Sequence, residues 1–116
     1  MLKDESILTT IKKPLGIEED YESFDEDVIM FINNAFLDLH QIGIGKEVFS
    51  IEGNSETWSD FLGDSMNYEA AKTFIYLSVR LIFDPPQSGP LISSMNSMKD
   101  RAEWRLNIQA EEGEEQ

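Results

Sequence analysis

The sequence predicts an all-α fold, a small bundle of four main helices and one short helical turn. Two observations favour this class: apolar residues recur at helical spacing over long segments, and glycine or proline stands where the patterns stop. The predicted helices lie near residues 5–15, 24–42, 67–83 and 90–108, and the short turn lies at 55–62. Because 116 residues suffice for one hydrophobic core, we expect a single domain at 1–110 and a disordered acidic tail at 111–116.

The first helix is expected to begin at Ser6, whose side chain can accept a hydrogen bond from a backbone N–H of the first turn. Pro14 and Gly16 lie near its end, because proline has no N–H for the helical ladder and glycine commonly ends a helix. An acidic segment without periodicity follows at 18–22 and is predicted to be a linker. Ser23 and Glu26 then have the spacing of a capping box, which predicts the start of the second helix.

The second helix should end at Gly43, where its apolar stripe stops. Residues 43–53 hold three glycines and a brief alternation of apolar and polar residues, so they are predicted to form a projecting loop or one short strand, and we favour the loop. Asn54 or Ser55 can cap the short turn that follows. The third long helix is apolar on almost every side, which predicts that it is buried.

The last helix is predicted to carry two apolar faces. At about 100° per residue, Trp104 and Ile108 project from nearly the opposite side to the main apolar stripe. The main stripe consists of Leu91, Met95, Met98, Ala102 and Leu106. Two interpretations of Trp104 stay open, contact with a partner protein and packing on another helix of the same chain.

Charge and composition argue against several classes of protein. Nine Lys and Arg residues against 23 Asp and Glu residues give a net charge of −14, which repels nucleic-acid phosphates. The absence of cysteine removes disulfides, thiolate nucleophiles and cysteine-based zinc sites. No apolar run approaches the roughly 18 residues that a membrane span needs, and no secretory signal is visible, so synthesis in the cytoplasm and no membrane partner are expected.

Catalytic chemistry has little support in this sequence. His40, the one histidine, lies in the last turn of its helix, where a positive charge suits the helix dipole. The glycines at 43–46 resemble a phosphate loop only faintly, because Glu47 replaces the required Ser or Thr. The acids at 25–27 are explained by the electrostatics of a helix start. We therefore predict a protein that is not an enzyme, with no catalytic residue, no cofactor and no metal.

Arg80 lies within the apolar third helix, so its guanidinium is expected to be paired. Asp84, one helical turn later, is the nearest carboxylate in the sequence. This ion pair could lock the end of the helix, or it could contact a neighbouring subunit, in which case replacing Arg80 by Leu harms assembly more than folding.

Several segments, in order along most of the chain, carry a family resemblance. They are IL at 7–8, IKK at 11–13, LGI at 15–17, SFDEDVIMFIN at 23–33, TW at 57–58, VRLIFDPP at 79–86 and EWRLN at 103–107. Together they resemble the head-tail connector (adaptor, head-completion) proteins of tailed bacteriophages. One departure is Pro14, which lies within the first helix and is expected to shorten or kink it.

The resemblance implies a non-enzymatic, all-helical subunit without a cofactor. It would form a homo-oligomeric ring under the portal protein, at the virion neck of a phage or prophage, after synthesis in the host cytoplasm. The ring would continue the channel for double-stranded DNA, which passes without specific binding, toward a downstream stopper or tail-completion protein.

The candidate site residues fall into two groups. The candidate subunit or portal interface comprises Arg80, Asp84, Arg101, Trp104, Arg105 and Ile108, and the candidate channel-facing loop comprises Lys46, Glu47 and Glu52. A ring requires two different complementary surfaces on each subunit, which a helix with two apolar faces would help to supply. The alternatives are an acidic mimic of DNA that occupies a nucleic-acid-binding enzyme, and a regulatory protein-binding module.

Overall fold

The structure, a computed structural model, describes residues 2–44, 48–62 and 68–115. Its regular elements are a 3-10 turn at Leu2–Asp4 and the helices α1 (Ile7–Lys12), α2 (Asp25–Gln41), α3 (Trp58–Leu62), α4 (Tyr68–Phe83) and α5 (Gly89–Glu115). The predicted all-α bundle is therefore confirmed. Within the described ranges, no helix is both long and apolar enough to cross a membrane.

α4 is the central element of the bundle. It packs against α2 on one side and α5 on the other, and α1 contacts both α2 and α4. Its buried residues lie around much of its circumference, as the apolar sequence predicts. The buried core consists of Ile7, Leu8 and Ile11 from α1, Val28, Ile32, Ala35, Phe36 and Leu39 from α2, Trp58 from α3, Ala70, Ala71, Phe74, Ile75 and Val79 from α4, Ala102 and Leu106 from α5, and Ile44 and Ile51 between helices.

Two glycines follow helix ends in the same way, as the sequence predicts, but α1 stops at Lys12, before Pro14 and short of the predicted residue 15, because proline has no N–H for the helical ladder. Gly16 and Gly43 have positive φ angles of 81° and 92°. The N–H of the following residue, Ile17 or Ile44, bonds back to a carbonyl of the last helical turn at 3.1 and 2.9 Å. This geometry turns Ile44 into the core, where it is buried.

The predicted caps were right for α1 and wrong for α2. The Ser6 hydroxyl accepts a hydrogen bond from the Thr9 N–H at 3.2 Å. In contrast, α2 begins after Phe24 without any side-chain cap, and Ser23 and Glu26 are both exposed. The chain enters α2 through a backbone turn, in which the N–H of Asp25 bonds to the carbonyl of residue 22.

The cap of α3 was also assigned to the wrong residues. Thr57 is the cap, because its N–H donates to Asp60 Oδ2 at 2.9 Å and its hydroxyl accepts from the Asp60 N–H at 3.4 Å. Asn54 and Ser55 are exposed and lie before this reciprocal pair. The helical turn is consequently shorter than the predicted 55–62.

The segment predicted as a projecting loop is packed in its described part, residues 48–53. Asn33 of α2 holds Ile51 by two hydrogen bonds, accepting from its N–H at 2.8 Å and donating to its carbonyl at 3.0 Å. The rings of Phe49 and Phe36 are 5.1 Å apart. The prediction of projection was wrong for these residues, because Phe49 and the buried Ile51 attach the segment to the core.

The last helix extends farther than the sequence predicts. The backbone of α5 is helical to Glu115, past the predicted end at 108 and through most of the predicted disordered tail at 111–116. Ala, Gln and Glu dominate this stretch and are good helix formers, so the helix continues despite the glycine at 113. Whether 111–116 acts as a tail separate from the 1–110 domain stays a prediction.

Candidate interaction surface

The two sides of α5 differ in their environment. Ala102 and Leu106 are buried in the core, whereas Trp104 is 62% exposed and Ile108 also reaches solvent. The prediction of two apolar faces is confirmed here. Only the second half of the main stripe is buried, because Leu91 and Met98 are exposed.

Trp104 lies between two exposed arginines. Arg101, one turn earlier, and Arg105, the next residue, are both exposed. At about 100° per residue, these three residues and Ile108 share one side of the helix. We call this set of four residues, Arg101, Trp104, Arg105 and Ile108, the α5 face.

Positive charge at the surface is concentrated on the α5 face. Among the residues whose exposure is described, the exposed cations are Lys13, Arg101 and Arg105. The other described cations are buried or half-buried, namely Lys12, Lys72, Arg80 and Lys99. In a chain of net charge −14, two exposed arginines beside an exposed tryptophan form a distinct chemical surface.

Arg80 meets the expected partner, but the pair is not buried. Its Nε donates to the Asp84 carbonyl oxygen at 2.6 Å and lies 3.9 Å from the Asp84 carboxylate. Its guanidinium also donates to the Tyr76 hydroxyl at 3.1 Å. The two charged side chains are 25% and 63% exposed. Arg80 therefore caps the end of α4, and its ion pair with Asp84 is solvated and weak.

Arg80 and the α5 face lie at different positions along α4. Arg101 and Arg105 line a groove together with Glu69 and Thr73, in the first half of α4. Arg80 follows Thr73 by seven residues, which is about 10 Å along a helix. The structure thus brings four of the six candidate interface residues together, and Arg80 and Asp84 form a separate site.

Lys12 has a role that sequence reasoning missed. Its side chain is 3% exposed and Nζ is 2.7 Å from Asp25 Oδ1. It also donates to the backbone carbonyl oxygens of Glu19 and Tyr21, at 3.1 and 2.8 Å. Two of the three N–H donors of the ammonium group are thus used in hydrogen bonds, and the Asp25 carboxylate balances its charge. From its sequence, Lys12 is only one of two lysines at a helix end, and nothing there distinguishes it from the exposed Lys13.

These contacts hold the acidic segment against the bundle. We call residues 18–24 the acidic strap. Its side chains at Asp20, Tyr21, Glu22 and Phe24 are all exposed. The rings of Tyr21 and Phe24 are 5.5 Å apart, and the ring of Phe24 lies 5.3 Å from that of Phe83 at the end of α4. The strap therefore presents an ordered aromatic pair between carboxylates, where the sequence indicated only a linker.

The candidate channel-facing loop is described in part. Glu52 is exposed, and its N–H donates to the Glu56 carboxylate at 2.6 Å. Lys46 and Glu47 lie outside the described residues. The orientation of this loop toward a channel stays a prediction.

No group of three or more His, Asp or Glu side chains in the described part of the chain could hold a metal ion. His40 is half-buried in the last turn of α2, at the position that the sequence assigns to it.

Comparison with models of protein families gives a match over most of the chain. The model of a family described as phage connector protein matches residues 7–113, from α1 into the last turns of α5. Neither a curated protein nor a solved structure matches the chain. Because the match covers far more than half of the sequence, the chain belongs to the phage connector protein family, a structural and non-enzymatic kind of protein that interacts with other phage head or tail proteins.

Proposed function

We propose that this protein is a head-tail connector (adaptor) subunit that forms a ring below the portal and extends the DNA exit channel. Family membership supports the structural role and a place at the virion neck. The observation that carries the finer proposal is the environment of α5, which buries one apolar side in its own chain and leaves Trp104 62% exposed on the other.

Closed rings require each subunit to present two different surfaces, since head-to-tail contacts repeat around the cycle. Tryptophan and arginine are the residues that most often anchor protein interfaces, and Trp104 has an arginine on each side. The α5 face therefore has the composition of a contact surface, and its exposure in a single chain supports a role between proteins.

The charge of the chain suits a passage for DNA. A net charge of −14 per subunit makes a ring of copies strongly acidic, so carboxylates along the passage would repel the phosphate backbone. Double-stranded DNA would then pass without specific binding. In this proposal Lys46, Glu47 and Glu52 belong to a loop that faces the channel.

The partners in this proposal follow from its position in the virion neck. The ring contacts the portal protein on its upper side and a downstream stopper or tail-completion protein on its lower side. Before assembly, the subunit resides in the host cytoplasm.

The direct test is to mix the purified protein with purified portal rings of the same phage and image the product by electron microscopy. We expect a second ring stacked on the portal ring, and a solution mass that is a multiple of the 13.3 kDa subunit in the complex. A protein that stays monomeric with portal rings and instead captures a DNA-processing enzyme would be an acidic mimic, and the proposal would be wrong.

A further inference from the structure

We propose that the α5 face of one copy docks on the acidic strap of the next copy. This inference rests on the proposed ring and names the two surfaces that close it. The occupant of the α5 face is thus a second copy of this chain, and the contact is head-to-tail.

Charge complementarity is the first argument. Arg101 and Arg105 are exposed and share a groove with Glu69, and among the side chains that the structure describes neither forms an ion pair with a carboxylate. The strap carries exposed carboxylates on both sides of Tyr21, at Asp20 and Glu22. Arginine forms two parallel hydrogen bonds to a carboxylate, which gives such a contact a defined orientation. Two copies of a chain that otherwise repel each other would attract at this pair of surfaces.

Aromatic complementarity is the second argument. Trp104 is the most exposed of the large apolar side chains on the α5 face, and Tyr21 and Phe24 are the exposed aromatic residues of the strap. Aromatic pairs add stability beyond the area that they bury. Trp104 placed against the Tyr21 and Phe24 rings would leave the arginines at the rim, beside the strap carboxylates.

The positions of the two surfaces indicate a contact between copies. Phe24 lies against Phe83, the last residue of α4, whereas Arg101 and Arg105 line a groove with Thr73. Thr73 and Phe83 are ten residues apart, which is about 15 Å along the helix. A surface near one end of α4 and its complement near the other end can pair in trans and repeat around a ring.

The strap is ordered in the single chain, which lowers the cost of docking. Lys12 fixes the backbone at Glu19 and Tyr21 and pairs with Asp25 just beyond the strap. A preorganised surface loses less conformational entropy on binding than a loose linker does.

The test reverses the charge of each surface in a separate variant. One variant carries Arg101→Glu and Arg105→Glu, and the other carries Asp20→Lys and Glu22→Lys. Each variant alone would bring like charges together across the contact. We therefore expect it to form no rings even at protein concentrations about tenfold above those at which the unmodified chain assembles. An equimolar mixture restores both contacts, because each surface then meets its complement on the other variant. Ring formation is measured by solution mass and electron microscopy, with and without portal rings.

Matched controls separate the effect of this contact on ring formation from the effect of a changed net charge. Lys13→Glu with Lys72→Glu changes the total charge as the α5 variant does, and Asp4→Lys with Asp38→Lys changes it as the strap variant does. We expect both controls to form rings, and circular dichroism verifies that all four variants are folded. Rings from either surface variant alone, or a mixture that fails to recover them, would overturn the inference while leaving the ring proposal intact. An unmodified chain that forms no ring under either condition would overturn both.

Discussion

The two tryptophans of this chain lie in opposite environments. Trp58 is fully buried and its indole Nε1 donates to the Thr10 hydroxyl at 2.9 Å, whereas Trp104 is 62% exposed. Thr10 in turn donates to the backbone carbonyl of Ser6 at 2.8 Å. A buried indole requires a partner for its N–H, and α1 supplies one. A tryptophan in the core thus has a polar partner for its indole N–H, whereas a tryptophan outside the core is available to another protein.

The surroundings of the two residues explain the difference. The first residue of α3 is Trp58, and the preceding chain is fixed to α1 by a hydrogen bond from the Ile7 N–H to the Glu56 carbonyl, at 2.9 Å. Trp104 lies in the middle of a long helix between two arginines, on the side away from the buried Leu106. The first tryptophan therefore connects elements of its own chain, whereas the second is mostly exposed to solvent.

The largest expected effect on stability is that of Trp58→Ala. Removing a buried aromatic side chain costs about 3 to 5 kcal/mol of unfolding free energy, because the site cannot fully collapse. The loss is measured by urea unfolding of the purified chain. The control Trp58→Phe keeps most of the apolar volume and should cost clearly less. A loss below about 1 kcal/mol for Trp58→Ala would mean that Trp58 is not a core residue.

The role of Trp58 could not be predicted from the sequence. Its hydrogen-bond partner, Thr10, is 48 residues earlier, and side-chain contacts across such a separation leave no local pattern. The positive-φ glycines that end α1 and α2 were predictable, because that conformation favours glycine locally. The capping residues of α2 and α3 were predicted wrongly because other local contacts begin these helices: a backbone turn at residues 22–25 for α2, and the reciprocal Thr57–Asp60 pair for α3.

An intermediate effect is expected for Lys12→Met, which tests whether the strap is held by a buried charge. The change leaves two backbone carbonyls and the Asp25 carboxylate without their partner, and that carboxylate is 27% exposed, so water replaces part of the loss. We expect a decrease of about 2 kcal/mol, below the roughly 3 to 5 kcal/mol of a fully buried pair. Amide hydrogen exchange at 18–24 should also become faster.

The control for this variant is Lys13→Met, because Lys13 is adjacent and exposed. Its effect should stay within about 0.5 kcal/mol, as for most surface substitutions. Equal losses for the two variants would show that the buried contacts of Lys12 contribute nothing, and that the strap is not held as the structure indicates.

The candidate site was predictable only where its residues follow a helical pattern. Helical periodicity shows which side of α5 carries Trp104, and that part of the site was predicted. The strap was missed, because acidity without periodicity indicates a linker, and only the burial of Lys12 makes it an ordered surface. Arg80 was predicted to be buried from the apolar residues around it, yet the end of α4 that carries it is not fully covered.

The smallest expected effect on stability is that of Trp104→Ala, which should nevertheless have the largest effect on assembly. Because Trp104 is 62% exposed, its removal from the isolated chain should change the unfolding free energy by less than about 0.5 kcal/mol. In a ring the same change removes an interface anchor, which commonly costs about 2 kcal/mol or more, roughly thirtyfold in affinity. Solution mass and urea unfolding of the same sample measure the two effects.

The matched control is Ile82→Ala, an equally exposed apolar residue of α4 outside the α5 face, which should leave both assembly and stability nearly unchanged. A second measurement uses Trp58→Phe, which makes Trp104 the one remaining tryptophan of the chain. Its fluorescence should shift to shorter wavelength when rings form, because docking transfers the indole from water to an apolar contact. If Trp104→Ala instead destabilises the isolated chain by about 2 kcal/mol or more, a loss typical of a core side chain, then Trp104 packs within its own chain and its assignment to the interface is wrong.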